Sequence, residues 1–217
     1  KIQSRLSSGN KINNAEDDSS GYAVAKTLES RTRGLAQALD NIGNAKNIIS
    51  IAEGGYQSQM SILQDIKEKL THAADGSLSN VQRGSIGDLI HQLLIEFSEI
   101  ATQTKFNGNK LFTTGDNEWT DWDDTHNNEI TFQVGENQND RFVVKFDNSN
   151  RTNIGEGSID LEFIVTDPNF AYTVQQSENE WSNLTQNEAQ NGISTMDLAI
   201  KDLTKTIQRM GDYQARL

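Results

Sequence analysis

SGYAVAKTLESRTRGLAQALDNIGNAKNIISIAEGGYQSQMSILQDIKEKLTHA, residues 20–73, carries the repeat that decides the fold. From Leu28, steps of seven residues reach Leu35, Ile42, Ile49, Tyr56, Leu63 and Leu70, all apolar or aromatic. A companion series, Val24, Arg31, Ala38, Ala45, Ala52, Gln59 and Ile66, is mostly small or apolar. A strict seven-residue repeat keeps one seam turned toward a partner helix and implies a left-handed supercoil. One helix over 20–73 would be roughly 80 Å long at 1.5 Å per residue. Gly43, Gly54 and Gly55 each weaken it by up to about 1 kcal/mol against Ala, which predicts a kink near 54–55.

Working outward, Ala74 to Asn80 reads as a turn, rich in Asp, Gly, Ser and Asn. A second helix follows, with Ile86, Leu89, Ile90, Leu93, Leu94, Phe97, Ile100 and Ala101 on one stripe. Phe106-Asn107-Gly108 ends it, because Asn and Gly suit a left-handed C-terminal cap. The period then shortens to two. Ile130, Phe132 and Val134 alternate with polar residues, as do Phe142, Val144 and Phe146, and the run from Gly135 to Asp140 is a hairpin loop. Ile159, Leu161 and Phe163 suggest another strand, and Phe170 to Val174 a short fourth. Met196, Leu203, Met210 and Leu217 restore the seven-residue step, beside Ile193, Ile200 and Ile207. That seam reaches the last residue without a cap, as truncation inside a longer helix would look.

The expected fold is therefore mainly α: an elongated antiparallel helical bundle or coiled-coil rod, with a small β-hairpin region inserted between N- and C-terminal helices. Residues 1–20 read as a linker, 20–111 and 190–217 as the helical core rod, and 112–189 as a β-rich distal part or small outer insert. Leu28, Leu35, Ile42, Leu94, Phe97, Leu203 and Ile207 are the expected core. Composition agrees: 34% hydrophobic residues suits a thin core better than a sphere, and a single proline, Pro168, leaves long helices uninterrupted.

Charge and residue counts exclude whole classes of function. A net charge of −12 argues against nucleic acid or an anionic membrane as partner. No apolar run approaches the ~18 residues of a membrane span, and no cleaved signal peptide is legible. With no cysteine there is no disulfide, thiolate metal site or thiol nucleophile. His72, His91 and His126 are scattered, with no triad, phosphate loop or zinc spacing around them, so no catalytic residue, cofactor or metal is expected.

Six blocks, taken in order, resemble the flagellin family. Leu6-Ser7-Ser8-Gly9-Asn10-Lys11-Ile12-Asn13-Asn14-Ala15-Glu16-Asp17-Asp18-Ser19-Ser20-Gly21 is similar to the family's N-terminal signature. Gly34 to Ala38 and Ser50 to Gly54 resemble its next two blocks. Gln103-Thr104-Lys105-Phe106-Asn107-Gly108-Asn109-Lys110-Leu111 resembles Q-T-x-F-N-G-x-K-L, Phe132 to Asn137 resembles I-Q-V-G-A-N, and Gly211 to Leu217 resembles the end of the core domain. Physically, Asp17 and Asp18 precede the long helix, where carboxylates accept from unpaired N–H groups, while Gly9 and Gly21 free the backbone for a turn. A capped helix after a linker accounts for most of these residues.

The resemblance implies a filament protomer, reduced to a core that lacks the terminal polymerisation helices and is therefore monomeric by itself. It implies other protomers, hook-associated and cap proteins and an export chaperone as partners. It also implies an extracellular place in the flagellar filament, reached by the flagellar type III pathway. A hook–filament junction protein with a similar helical frame is the second reading, and a glycan-binding surface adhesin the third. Flagellin cores are also recognised by an animal innate immune receptor through an L-Q-R-x-R-E-L motif. Here Leu63, Gln64, Asp65, Lys67 and Glu68 stand in its place, with Glu96 on the following helix. Asp65 reverses the sign of the family's first Arg, and such a reversal costs a few kcal/mol of binding, so recognition is expected to be weakened. A solvated helix position explains Asp65 equally well.

Two other features invite a ligand and have plainer readings. Asp116, Glu118, Asp121, Asp123, Asp124 and His126 offer oxygen ligands for Ca²⁺, yet without the spacing of a calcium loop, and a solvated charged loop is favoured. Trp119 and Trp122 beside them read as anchors for that loop rather than a sugar platform. Asn150-Arg151-Thr152 and Asn183-Leu184-Thr185 match the N-glycosylation pattern, which is frequent by chance.

Overall fold

The computed structural model describes residues 6, 7, 9, 11–112, 128–150, 153–154, 161 and 184–217. Three long helices dominate: α1, Ser19–Ala73; α2, Asn80–Gln103; and α3, Gln186–Arg216. Among the described residues, three two-stranded pairs lie between α2 and α3 in the chain. β1 (Lys105–Phe106) pairs with β2 (Asn109–Lys110), β3 (Asn128–Gln133) with β4 (Arg141–Phe146), and β5 (Ser149–Asn150) with β6 (Asn153–Ile154). The mainly helical class with a small β region is borne out, and the expected long helix runs unbroken through 55 residues.

Helix ends follow local chemistry. Asp18 starts α1, its Oδ1 accepting from Gly21 N at 3.0 Å. Ser79 starts α2 and Thr185 starts α3, each through a capping box closed by a side chain three residues on, Gln82 and Glu188 respectively. The turn between α1 and α2 is held by a buried arginine: Arg83 Nε donates to Ala73 O at 2.8 Å, and its Nη2 to the carbonyls of Asp75 and Leu78. Ala73 O has no intrahelical partner at the end of α1, and the guanidinium fork supplies a donor for it as well as for the turn carbonyls.

The chain divides into two compact units. One comprises Lys1–Ala45 and Thr131–Val143, the other Lys46–Ile130 and Val144–Leu217. In the second, α2 and α3 each run antiparallel to α1. Gln59 donates to Phe97 O and Arg83 to Ala73 O along the α1–α2 side. Gln186 reaches Ala74 O, Lys67 pairs with Asp197, and Gln214 reaches Glu53 along the α1–α3 side. Their shared core holds Ile49, Tyr56, Leu63, Ile66, Leu70, Leu94, Phe97, Met196 and Leu203.

In the first unit, the tip of the β3–β4 hairpin packs on α1. Arg31 Nε bonds Glu136 Oε1 at 2.7 Å, and Asn41 Nδ2 donates to Gln133 O at 3.0 Å. Ala38 is buried, whereas Leu28 is 54% and Leu35 49% exposed. The expectation that both are core residues is therefore wrong. The heptad continues upstream, whereas the helices that fill it sit beside the downstream half. Leu94, Phe97 and Leu203 are buried as expected, while Ile42 and Ile207 are half-buried.

Two glycine readings also change. Gly55 sits in an unbroken helix because a Cβ there would lie 2.7 Å from Phe112 Cε2 and 2.8 Å from Thr104 Oγ1. Close approach, not a kink, requires it. Asn107 and Gly108, with φ of 51° and 89°, form the two-residue loop of the β1–β2 hairpin; the helix has already ended at Gln103, with Thr104 as cap. Two successive positive φ angles are what a tight hairpin with right-handed twist demands. The expected strands at 159–163 and 170–174 lie outside the described residues, apart from Leu161, which is buried.

Candidate functional site

The signature segment folds back on the start of α1. Gly9 has φ +68°, a conformation that glycine adopts without a Cβ penalty. Leu6 and Ser7 are exposed, and Ser8 lies outside the described residues. Asn13 N donates to Asp17 Oδ2 at 3.3 Å, and Asp17 N to Asn14 O at 3.0 Å, so Asp17 closes the turn while Asp18 caps the helix. Gly21 lies within the first helical turn, so it does not serve as the turn residue expected. A Cβ there would meet Asp18 Oδ2 at 2.6 Å and Ile12 Cδ1 at 3.0 Å. Ile12, Asp18 and Gly21 thus form one packed joint.

The second signature block closes against the helices. Phe106 is half-buried, and Leu111 N returns to Thr104 O at 3.0 Å. Phe112 then stacks on Tyr56 at 4.0 Å between centroids, over the gap left by Gly55. Tyr56 is fully buried, and its hydroxyl donates to Asp147 O at 2.8 Å. Burial, and then the nearby Asp147 carboxylate, push its phenol well above the ordinary tyrosine range.

On the helix surface, Gln64, Asp65, Glu68 and Glu96 are exposed, Lys67 pairs with Asp197, and Leu63 is buried. Leu63 therefore belongs to the core, beneath the surface that the motif was expected to present. Two buried polar clusters were not foreseen. Gln59 Nε2 donates to Phe97 O and Ser149 O, and Ser149 Oγ returns a bond to Gln59 Oε1 at 2.7 Å. Asp147 accepts both Arg209 guanidinium nitrogens at 3.0 Å and the Thr206 hydroxyl at 2.5 Å. Gln59 had a signal, as a polar residue inside an apolar heptad series. Asp147 had none, because its partners lie about sixty positions away in the chain.

Among the described residues no group of acidic and histidine side chains is placed to hold a metal, and no helix is long and apolar enough to cross a membrane. Residues 116–126, with Trp119 and Trp122, lie outside the described residues, as do Arg151, Thr152 and Asn183.

Residues 1–116 match the family model of the bacterial flagellin N-terminal helical region. Over 215 residues the chain is 33% identical to flagellin FlaB1 of Treponema pallidum (strain Nichols), covering 98% of this chain and 68% of that protein. The chain belongs to the flagellin family. This flagellin is also 31% identical over 225 residues to the flagellar filament 31.3 kDa core protein of Treponema maltophilum, covering 100% of this chain and 70% of that one. Two solved structures share its fold. The crystal structure of Bacillus cereus flagellin aligns with a TM-score of 0.55 at 21% identity, over 81% of this chain and 82% of that one. A putative flagellar hook-associated protein from Vibrio parahaemolyticus aligns at 0.71 and 13%, over 94% and 90%. At these identities the likeness is of fold alone.

Proposed function

We infer that the work of this chain is mechanical: it is a structural protomer of the bacterial flagellar filament, one copy in a homopolymer. Family membership, with the intact signature joint of Ile12, Asp18 and Gly21, is the observation that carries this reading. Repeated heterologous contacts that do not close generate a helical tube. No catalytic role is proposed. The two buried polar clusters described above are satisfied by their own hydrogen bonds and hold the helices together.

The finer assignments rest on the same membership. Protomers above, below and beside this one, hook-associated proteins, the cap and an export chaperone are its proposed partners, and the flagellar type III route its path outward. A chain without cysteine suits export in an unfolded state, since no disulfide has to be broken or made. For the innate immune receptor we propose weakened recognition. Asp65 presents a carboxylate where the motif has a guanidinium, and Lys67 is already engaged by Asp197. In a pull-down with receptor ectodomain, Asp65→Arg should bind at least tenfold better than the parent; equal or tighter binding by the parent refutes the proposal.

The filament reading is tested by adding purified protein, carrying the terminal segments of its relatives, to sheared filament seeds under electron microscopy. Elongation into long tubes is expected. Addition at hook ends alone would favour a junction role, and failure to add at all would reject both.

A further inference from the structure

The seam between α1 and α3 has an ambiguity built into its sequence. Among the residues that α3 buries, Ala189, Met196, Leu203 and Met210 repeat every seven residues, beside a companion series of Gly192, Ala199 and Thr206. Sliding α3 by one heptad, about 10 Å along its axis, leaves an apolar residue in the slots of Met196, Leu203 and Met210 whichever way it moves. The connection from α2 to α3 is more than eighty residues long. Between α1 and α2 the matter is different, because a six-residue turn pinned by Arg83 fixes their relation.

We propose that Asp147 keys the axial register of α3 against α1. Its backbone is fixed to α1, where the Tyr56 hydroxyl donates to its carbonyl, and its carboxylate is fixed to α3, where Thr206 and both nitrogens of Arg209 donate. The side chains of Asp147 and Arg209 are only 10% and 25% exposed, and Thr206 is buried in the helix's core stripe. A slide in one direction would bring Ala199 and Asp202 to Asp147, removing the hydroxyl and setting two carboxylates together. A slide in the other direction would drive the ring of Tyr213 into the buried slot of Thr206. Both alternatives are penalised by groups that contribute little to stability in the native register. A buried ion pair gains little over well-packed apolar groups, yet leaving one member unpaired is costly. One polar contact within a heptad seam is known to specify register at some cost in stability.

The absence of native cysteine permits a direct test on the full chain, with spin labels at Gln57→Cys on α1 and Gln190→Cys on α3, both exposed. Pulsed dipolar spectroscopy should give one narrow distance for the parent. With Asp147→Asn it should show a second population displaced by about 10 Å, one heptad of helix rise. The exchanged pair Asp147→Lys/Arg209→Asp should return the single parent distance. That restoration also supports the proposal if Asp147→Asn alone does not fold. The proposal is overturned if Asp147→Asn folds with the parent distance alone, or if the exchanged pair fails to restore it.

Discussion

Adjacent glycines in α1 have opposite fates. Gly54 is exposed, and a methyl there would meet nothing within 4 Å, whereas a methyl on Gly55 would strike the Phe112 ring and the Thr104 hydroxyl. Gly54→Ala should stabilise the fold by about 0.5–1 kcal/mol through helix propensity alone. Gly55→Ala gains the same propensity but overpacks the Tyr56–Phe112 stack, at a cost of about 1–3 kcal/mol, and so should destabilise. Urea midpoints followed by circular dichroism separate the two, and equal shifts would remove close packing as the reason for Gly55. Tyr56 makes a second residue-scale prediction. Its phenol is held neutral in the fold, while an unfolded tyrosine ionises near pH 10. Above that pH the unfolded chain binds fewer protons than the folded one, so stability falls as pH rises. This contribution is complete below about pH 10 and is lost as pH climbs through the folded-state value. Absorbance of tyrosinate should therefore show one of the four tyrosines ionising only with alkaline unfolding. Replacing it as Tyr56→Phe should move that unfolding to higher pH.

At the scale of elements, caps and seams behave differently. The hydroxyls of Ser79 and Thr185 each satisfy a backbone N–H that the helix itself leaves unpaired. Ser79→Ala and Thr185→Ala should each cost about 1 kcal/mol. They sit on different helices, and the double variant tests whether the costs add. Along α1 one heptad series spans two environments. Leu63→Ala, in the packed half, should cost about 2–5 kcal/mol, while Leu28→Ala, in the exposed half, should change stability by less than about 0.5 kcal/mol. Comparable losses in thermal melts would mean that the upstream stripe is covered in solution. The structure also revised one element boundary: Asn107 and Gly108 turn a hairpin instead of capping α2, which ends earlier, at Gln103.

For the whole molecule, hydrogen exchange should resolve the same division along a single helix. Amides from about 48 to 73 lie beside α2 and α3 and should exchange only with global opening, whereas those upstream of Ala45 depend on fewer buried contacts and should exchange orders of magnitude faster. Uniform protection from 22 to 73 would contradict this. The exchange pattern also bears on the register key, because loss of Asp147 should weaken protection in α3 before α2, which its turn holds in place.

Much of this was legible in the residues themselves. The seven-residue step over 28–70 and 196–217, the alternation in 130–146 and the turn at 74–80 determined the number and type of the main elements, because periodicity is a local property of the chain. The signature blocks added the family. What the tertiary structure alone decided was which half of the long seam is filled, since a heptad states that a partner is wanted but not where the partner ends. It also decided the roles of Gly21 and Gly55, each set by atoms that approach from elsewhere. The pairing of Asp147 with Thr206 and Arg209 belongs here too: charge pairing across about sixty residues leaves no period in the sequence and exists only once the helices are packed.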